Sequence, residues 1–132
     1  MKKNTLLLLL LLIAFSYGLS AQDAKEYYET AMTYKAKENY TETWRQLSKA
    51  LAADPDNTVY KSEMADVQYV RKAFFESIPL YEEMLAKDSK NITYLARLAE
   101  MYSMSPKKLK GVEYAEQAMK LKSTDGDINK ML

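Results

Sequence analysis

One interval organises this chain. The stretch Trp44-Arg45-Gln46-Leu47-Ser48-Lys49-Ala50-Leu51-Ala52-Ala53-Asp54-Pro55-Asp56-Asn57 reads as an amphipathic helix closed by an Asp-Pro turn. Thirty-four residues on, Ile78-Pro79-Leu80-Tyr81-Glu82-Glu83-Met84-Leu85 repeats its logic, and Val112-Glu113-Tyr114-Ala115-Glu116-Gln117-Ala118-Met119 repeats it again at the same spacing. A fixed period of this length marks a repeat array, in which each unit buries its apolar face on the next.

Within that period each unit holds two helical patterns. The first helix covers about Asp23 to Lys37, with Tyr27, Ala31 and Tyr34 on one face, and Glu38-Asn39 supplies the turn. The second starts near Tyr40-Thr41, with Thr41 as the expected N-cap, carries Tyr40, Trp44, Leu47 and Leu51, and stops at Asp54-Pro55-Asp56-Asn57. In the next unit Tyr60, Met64, Ala65 and Val67 give one apolar side, and Phe74, Ile78, Tyr81 and Leu85 the other. Pro79 conflicts with a helix interior, so that helix is expected to start near Glu76-Ser77 and to bend slightly. The third unit carries Leu95, Leu98, Ala99 and Tyr102, then Leu109, Val112, Ala115 and Met119, with Ser105-Pro106 between them. Thr124-Asp125-Gly126-Asp127 is expected to turn, and 126–132 to form a short tail.

Ahead of the array stands Met1-Lys2-Lys3-Asn4, then the apolar run Leu6 to Ala14, then Ser16-Tyr17-Gly18-Leu19-Ser20-Ala21 before Gln22. A basic start, a short apolar core and a small residue before a polar one describe a secretory signal peptide cleaved after Ala21. The run is short against the ~20 residues of a spanning helix, so an uncleaved anchor is the weaker reading. The Leu-Ser-Ala-Gln junction resembles export signals of Gram-negative bacteria, and the expected compartment is the periplasm or cell surface. With no cysteine, attachment as a Cys-linked lipoprotein and a disulfide framework are both ruled out. Loss of Lys2 and Lys3 with the signal turns the formal charge from +1 to −1, which offers no electrostatic footprint for nucleic acid or anionic membrane.

The chain also has no histidine, so the common nucleophile–base pairs and transition-metal ligands are missing together. Glu82-Glu83 and Asp54/Asp56 are carboxylate pairs, but neighbours on a helix diverge and no base or oxyanion donor accompanies them. Asp125-Gly126-Asp127 lacks the spaced ligands and closing Glu of a calcium loop. Lys107-Lys108-Leu109-Lys110 reads as a solvated helix start, and Asn39-Tyr40-Thr41 and Asn91-Ile92-Thr93 match a glycosylation pattern at positions that already have turn roles. Neither catalysis nor a cofactor is expected.

These units resemble the tetratricopeptide repeat (TPR) family. The family's small eighth residue is matched by Ala31, Ala65 and Ala99; its eleventh, usually Tyr, by Tyr34 and Tyr102, with Gln68 departing. The aromatic seventeenth is matched by Tyr40 and Phe74 but not by Lys108. The small twentieth becomes Thr43, Ser77 and Gly111, the twenty-seventh is matched by Ala50 and Ala118 but not Met84, and the closing proline survives as Pro55. The resemblance implies an all-α, right-handed superhelical array of about six helices. Its repeats would be 24–57, 58–91 and 92–125, inside a mature domain 22–125.

It also implies an interaction platform whose first helices line a concave groove. Family groove positions fall on Lys25, Tyr28, Met32 and Lys35; on Ser62, Asp66, Tyr69 and Val70; and on Thr93, Ala96, Arg97 and Glu100. Aromatic and flexible apolar groups among mixed charges suit a peptide or partner helix. The family's carboxylate clamp for a peptide C-terminus is matched only by Arg97, since Tyr28 and Met32 stand where Lys and Asn would be. The function expected is a non-catalytic adaptor for a protein or peptide of the cell envelope. The alternative is a structural module that self-associates through its uncapped last repeat, or that leads a larger envelope protein.

Overall fold

A computed structural model describes residues 21–128, with side chains to residue 123. All of the expected signal peptide except Ala21, and residues 129–132 of the expected tail, lie outside the described residues. The described chain is helical throughout: α1 (21–36), α2 (Tyr40–Ala53), α3 (Thr58–Val70), α4 (Phe74–Lys87), α5 (Ile92–Ser103) and α6 (Lys108–Ile128). It divides between Arg71 and Lys72 into two compact units, α1–α3 and α4–α6.

The repeat frame shows first in the connections. Asp54 and Asp88 end α2 and α4, and three residues later Asn57 and Asn91 begin α3 and α5. Each Asn side chain donates to the preceding Asp at 2.9 Å, and its amide oxygen accepts from a first-turn backbone N–H. That satisfies donors a helix start leaves unpaired. The turns inside the repeats also match: Glu38 and Lys72, 34 residues apart, both adopt left-handed backbone, with φ of 55° and 60°. The corresponding position in the third unit is Pro106, whose ring holds φ near −65°. There α5 ends at Ser103 and α6 begins at Lys108, so the connection is four residues long instead of three.

In the first unit, α1, α2 and α3 meet around Ala24, Ala50 and Tyr60, with Tyr27, Tyr28, Leu51 and Ala53 packed against them. Ala31, Leu47 and Ala65 are fully enclosed, and Arg71 lies over the Trp44 ring. In the second unit Tyr81, Leu95, Leu98 and Met101 are buried, and Tyr81 meets Tyr94 edge-on with ring centroids 5.8 Å apart. The small residues of the repeat frame lie where expected, since Thr43, Ser77 and Gly111 are all buried.

Three local expectations are corrected. The N-cap of α2 is Asn39, not Thr41: its side chain accepts from the Glu42 N–H, because the left-handed Glu38 closes the turn two residues earlier. Helix α4 starts at Phe74 rather than near Glu76, so Pro79 lies inside it and leaves the Phe75 carbonyl without its helical donor. Ala73 caps that helix without a side-chain bond, so it is packing of Ser77 and Tyr81 that holds it. Finally, Thr124–Asp127 are helical and α6 runs on to Ile128. A single Gly costs a helix only about 1 kcal/mol, and no proline follows to stop it.

Candidate functional site

Helix α1 places Lys25, Tyr28, Met32 and Lys35 at steps of three, four and three residues, which is one face. Lys25 is exposed and pairs with Glu29; the other three are half-buried. Against them α3 sets Tyr60 and Glu63. The Tyr28 ring stacks on Tyr60 at 4.8 Å with 26° between the planes, so Tyr28 is a packing residue as well as a surface one. Lys35 Nζ donates to Glu63 Oε2 at 2.5 Å. Burial alone would lower the Lys35 pKa, but the Glu63 bond and charge, with Asp66 nearby, outweigh it and raise it. Burial likewise pushes the Tyr28 hydroxyl up, and Glu63 adds to that. The rest of the α3 candidates line up beside this pair: Ser62, Asp66 and Tyr69 are half-buried, and Val70 is exposed, as is Val59 at the start of the helix. Glu63 was missed by the sequence, because its partner lies 28 residues away on another helix.

In the second unit α5 presents Thr93, Ala96 and Glu100 as exposed residues with Arg97 half-buried. The stronger constellation there lies elsewhere. Glu82 Oε1 accepts from Lys110 Nζ at 2.5 Å, Tyr102 OH at 2.8 Å and Tyr114 OH at 3.1 Å. Lys110 also donates to Tyr102 OH and sits 4.8 Å above its ring. One carboxylate thus ties α4 to both α5 and α6. Lys110 is therefore not the solvated residue the sequence suggested, whereas Lys107 and Lys108 are exposed. Glu83 diverges as expected and pairs with Lys87 on its own helix. The expected apolar face of α6 is largely open, with Leu109, Val112 and Met119 each more than half exposed.

Titration of this cluster sets a pH dependence. Burial would raise the Glu82 carboxyl, but the bonds from Lys110, Tyr102 and Tyr114 hold it below the usual value. Its stabilisation is present above the unfolded carboxylate pKa, about 4.3, and is lost as pH falls through the folded value. Lys110 is raised by Glu82 and Tyr102, and Tyr114 by burial and Glu82, so their contributions hold below about pH 10 and fade above it. The midpoint of thermal unfolding should fall on acidification from about pH 5 to about pH 3, and fall less in Glu82→Gln. Equal acid sensitivity in the two proteins would show that Glu82 does not set it.

Among the described residues no group of three or more His, Cys, Asp or Glu is placed to hold a metal ion, and no helix is long and apolar enough to cross a membrane. No family model and no curated protein matches the sequence. Solved structures do match. A point mutant of MamA superposes with a TM-score of 0.63 at 17% identity, covering 74% of this chain and 72% of its own. The first TPR of Spaghetti (RPAP3), bound to the HSP90 peptide SRMEEVD, superposes with a TM-score of 0.60 at 20% identity, covering 76% and 80%. The chain has the TPR fold.

In TPR terms the two charge pairs are counterparts. Lys35–Glu63 joins first helices of successive repeats, and Glu82–Lys110 joins second helices. Both span 28 residues, with acid and base exchanged. Leu47 lies on a second helix of that frame and is fully enclosed.

Proposed function

We propose that this chain is a non-catalytic adaptor that holds a peptide or partner helix on the face shared by α1 and α3. The observation that carries the reading is the mixture on that face. Tyr28 and Met32 stand half-buried and Val59 and Val70 exposed, among Lys25, Lys35, Glu63 and Asp66. A surface of aromatic, flexible apolar and mixed-charge groups suits an extended or helical ligand. The peptide bound to the RPAP3 TPR supports the ligand class. Tyr28 and Met32 replace the clamp's Lys and Asn, which argues against a receptor for chaperone tails. Thr93, Ala96, Arg97 and Glu100 of α5 are the family groove positions of the second unit and are considered there by themselves. In a pull-down from an envelope extract, Met32→Arg with Ser62→Arg should lose the partner the native protein retains, with helical content unchanged by circular dichroism. Retention by that variant removes the α1–α3 face from consideration.

The same reading places the protein in the periplasm or on the cell surface of a Gram-negative bacterium. Its support is the basic, apolar and small-residue order of residues 1–21. Intact mass of the protein recovered from the envelope fraction should start at Gln22. A second reading, self-association, rests on the open Leu109, Val112 and Met119 face. Light scattering that stays monomeric across a concentration series would dismiss it.

A further inference from the structure

A hollow lies beside the third repeat's turn, where the connection departs from the frame. Phe75, Ile78 and Pro79 of α4 face Tyr102 of α5 and the connecting residues Ser105, Pro106 and Lys107 across a space of about 470 Å³. Its lining is almost wholly apolar, and two of the chain's three prolines are in it. Spaces of about 300–1,000 Å³ are the usual size of ligand sites. The position is distinct from the α1–α3 face, since all seven residues belong to the second unit and none is a family groove position.

Several features of the hollow point to its occupant. Phe75 is 89% exposed, a large aromatic side chain left at the mouth of an apolar space. Ser105 is already used, its Oγ donating to the Tyr102 carbonyl and accepting the Lys107 N–H, so it holds the rim in shape and does not select a polar ligand. Charge adds the last element. Lys107 lines the hollow and Lys108 follows it, both exposed and without an ion pair among the described residues, whereas Lys110 is neutralised by Glu82. Glu76 is the exposed carboxylate beside Phe75, which leaves two lysines against one acid.

We infer that this hollow is a second docking site, for an acidic peptide segment that seats one large apolar side chain between Phe75 and Pro106 and sets its carboxylates against Lys107 and Lys108. The apolar anchor supplies affinity, and the lysines supply register and selection against basic segments. The test is fluorescence anisotropy on the purified protein with a labelled peptide Asp-Glu-Phe-Leu-Glu-Asp. Controls are its neutral counterpart, with Asn and Gln, and its basic counterpart, with Lys. The acidic peptide should bind best. Phe75→Ala should weaken it about tenfold or more, the ordinary cost of removing an aromatic anchor. Lys107→Glu with Lys108→Glu should abolish its advantage over the neutral peptide, while Met32→Arg on the α1–α3 face should leave binding unchanged. Phe75 and both lysines are exposed, so these substitutions test docking and not folding. No binding of the acidic peptide, equal binding of all three peptides, or binding that survives Phe75→Ala would each overturn the assignment. Loss in Met32→Arg with retention in Phe75→Ala would move the peptide to the other face.

Discussion

Tyr81→Ala is expected to lower stability by about 3–5 kcal/mol, the range for removing a large aromatic side chain from a core. Tyr81 is 1% exposed and heads the fully buried side chains by size. Its ring meets Tyr94 of α5 edge-on, at 65° between planes, so truncation empties space between α4 and α5 and removes an aromatic pair. Small domains have a total of about 5–15 kcal/mol, so this one change takes a large share of it. The loss has a second route. Glu82 follows Tyr81 directly and holds Lys110, Tyr102 and Tyr114, so loosening α4 also loosens the bonds that carry α6. Urea unfolding followed by far-ultraviolet circular dichroism should show the midpoint moved far down. Tyr81→Phe, which keeps the ring, should move it by about 1 kcal/mol. A shift in Tyr81→Ala no larger than in Tyr81→Phe would contradict the packing described.

How much of this could be read beforehand depends on the distance over which each feature is determined. Ala31, Ala65, Thr43, Ser77, Gly111, Leu47 and Tyr60 were legible because a core position must recur with the repeat, and the type of side chain it tolerates recurs with it. The helix starts were less so. Whether Asn39 or Thr41 caps α2 depends on where the preceding turn closes, and that rests on Glu38 taking a left-handed backbone that its side chain disfavours. The early start of α4 is a case of tertiary packing overriding local rules. Proline belongs in a first turn, yet the burial of Ser77 and Tyr81 extends the helix back to Phe74.

At the candidate faces the limit is of a different kind. Periodicity assigns residues to a face of their own helix, and so it put Tyr28, Met32 and Lys35 together. It gives no register between helices. Glu63 opposite Lys35, and Glu82 under Lys110, therefore cannot be read from it, although Glu82 and Glu83 do diverge as neighbours on a helix must. The hollow beside Pro106 belongs to the same class. By its local pattern Pro106 only ends one helix and begins the next, whereas the lengthened connection lines an apolar space with α4.

Gly111→Val should be nearly as damaging as the loss of Tyr81, for the opposite reason. A side chain added there has nowhere to go: its Cβ would lie 2.9 Å from the Ala99 carbonyl oxygen, 3.0 Å from the Ser103 nitrogen and 3.2 Å from Tyr102 Cβ. The first two are backbone atoms of α5, so no rotamer change can relieve the clash. On an isolated helix the exchange of glycine for alanine is favourable by about 1 kcal/mol. Here the contact decides, and overpacking of this kind costs about 1–3 kcal/mol or more. Valine's two further carbons place it at the upper end. The displacement of α6 has a specific consequence, because Lys110 precedes Gly111 and Tyr114 follows one turn later, and both reach Glu82. Gly111→Val should therefore uncouple that cluster, and Glu82→Gln added to it should cost much less than Glu82→Gln alone. A double-mutant cycle in urea measures this non-additivity. Full additivity, or a Gly111→Ala protein at least as stable as the native one, would mean that α6 does not approach α5 as closely as this packing requires.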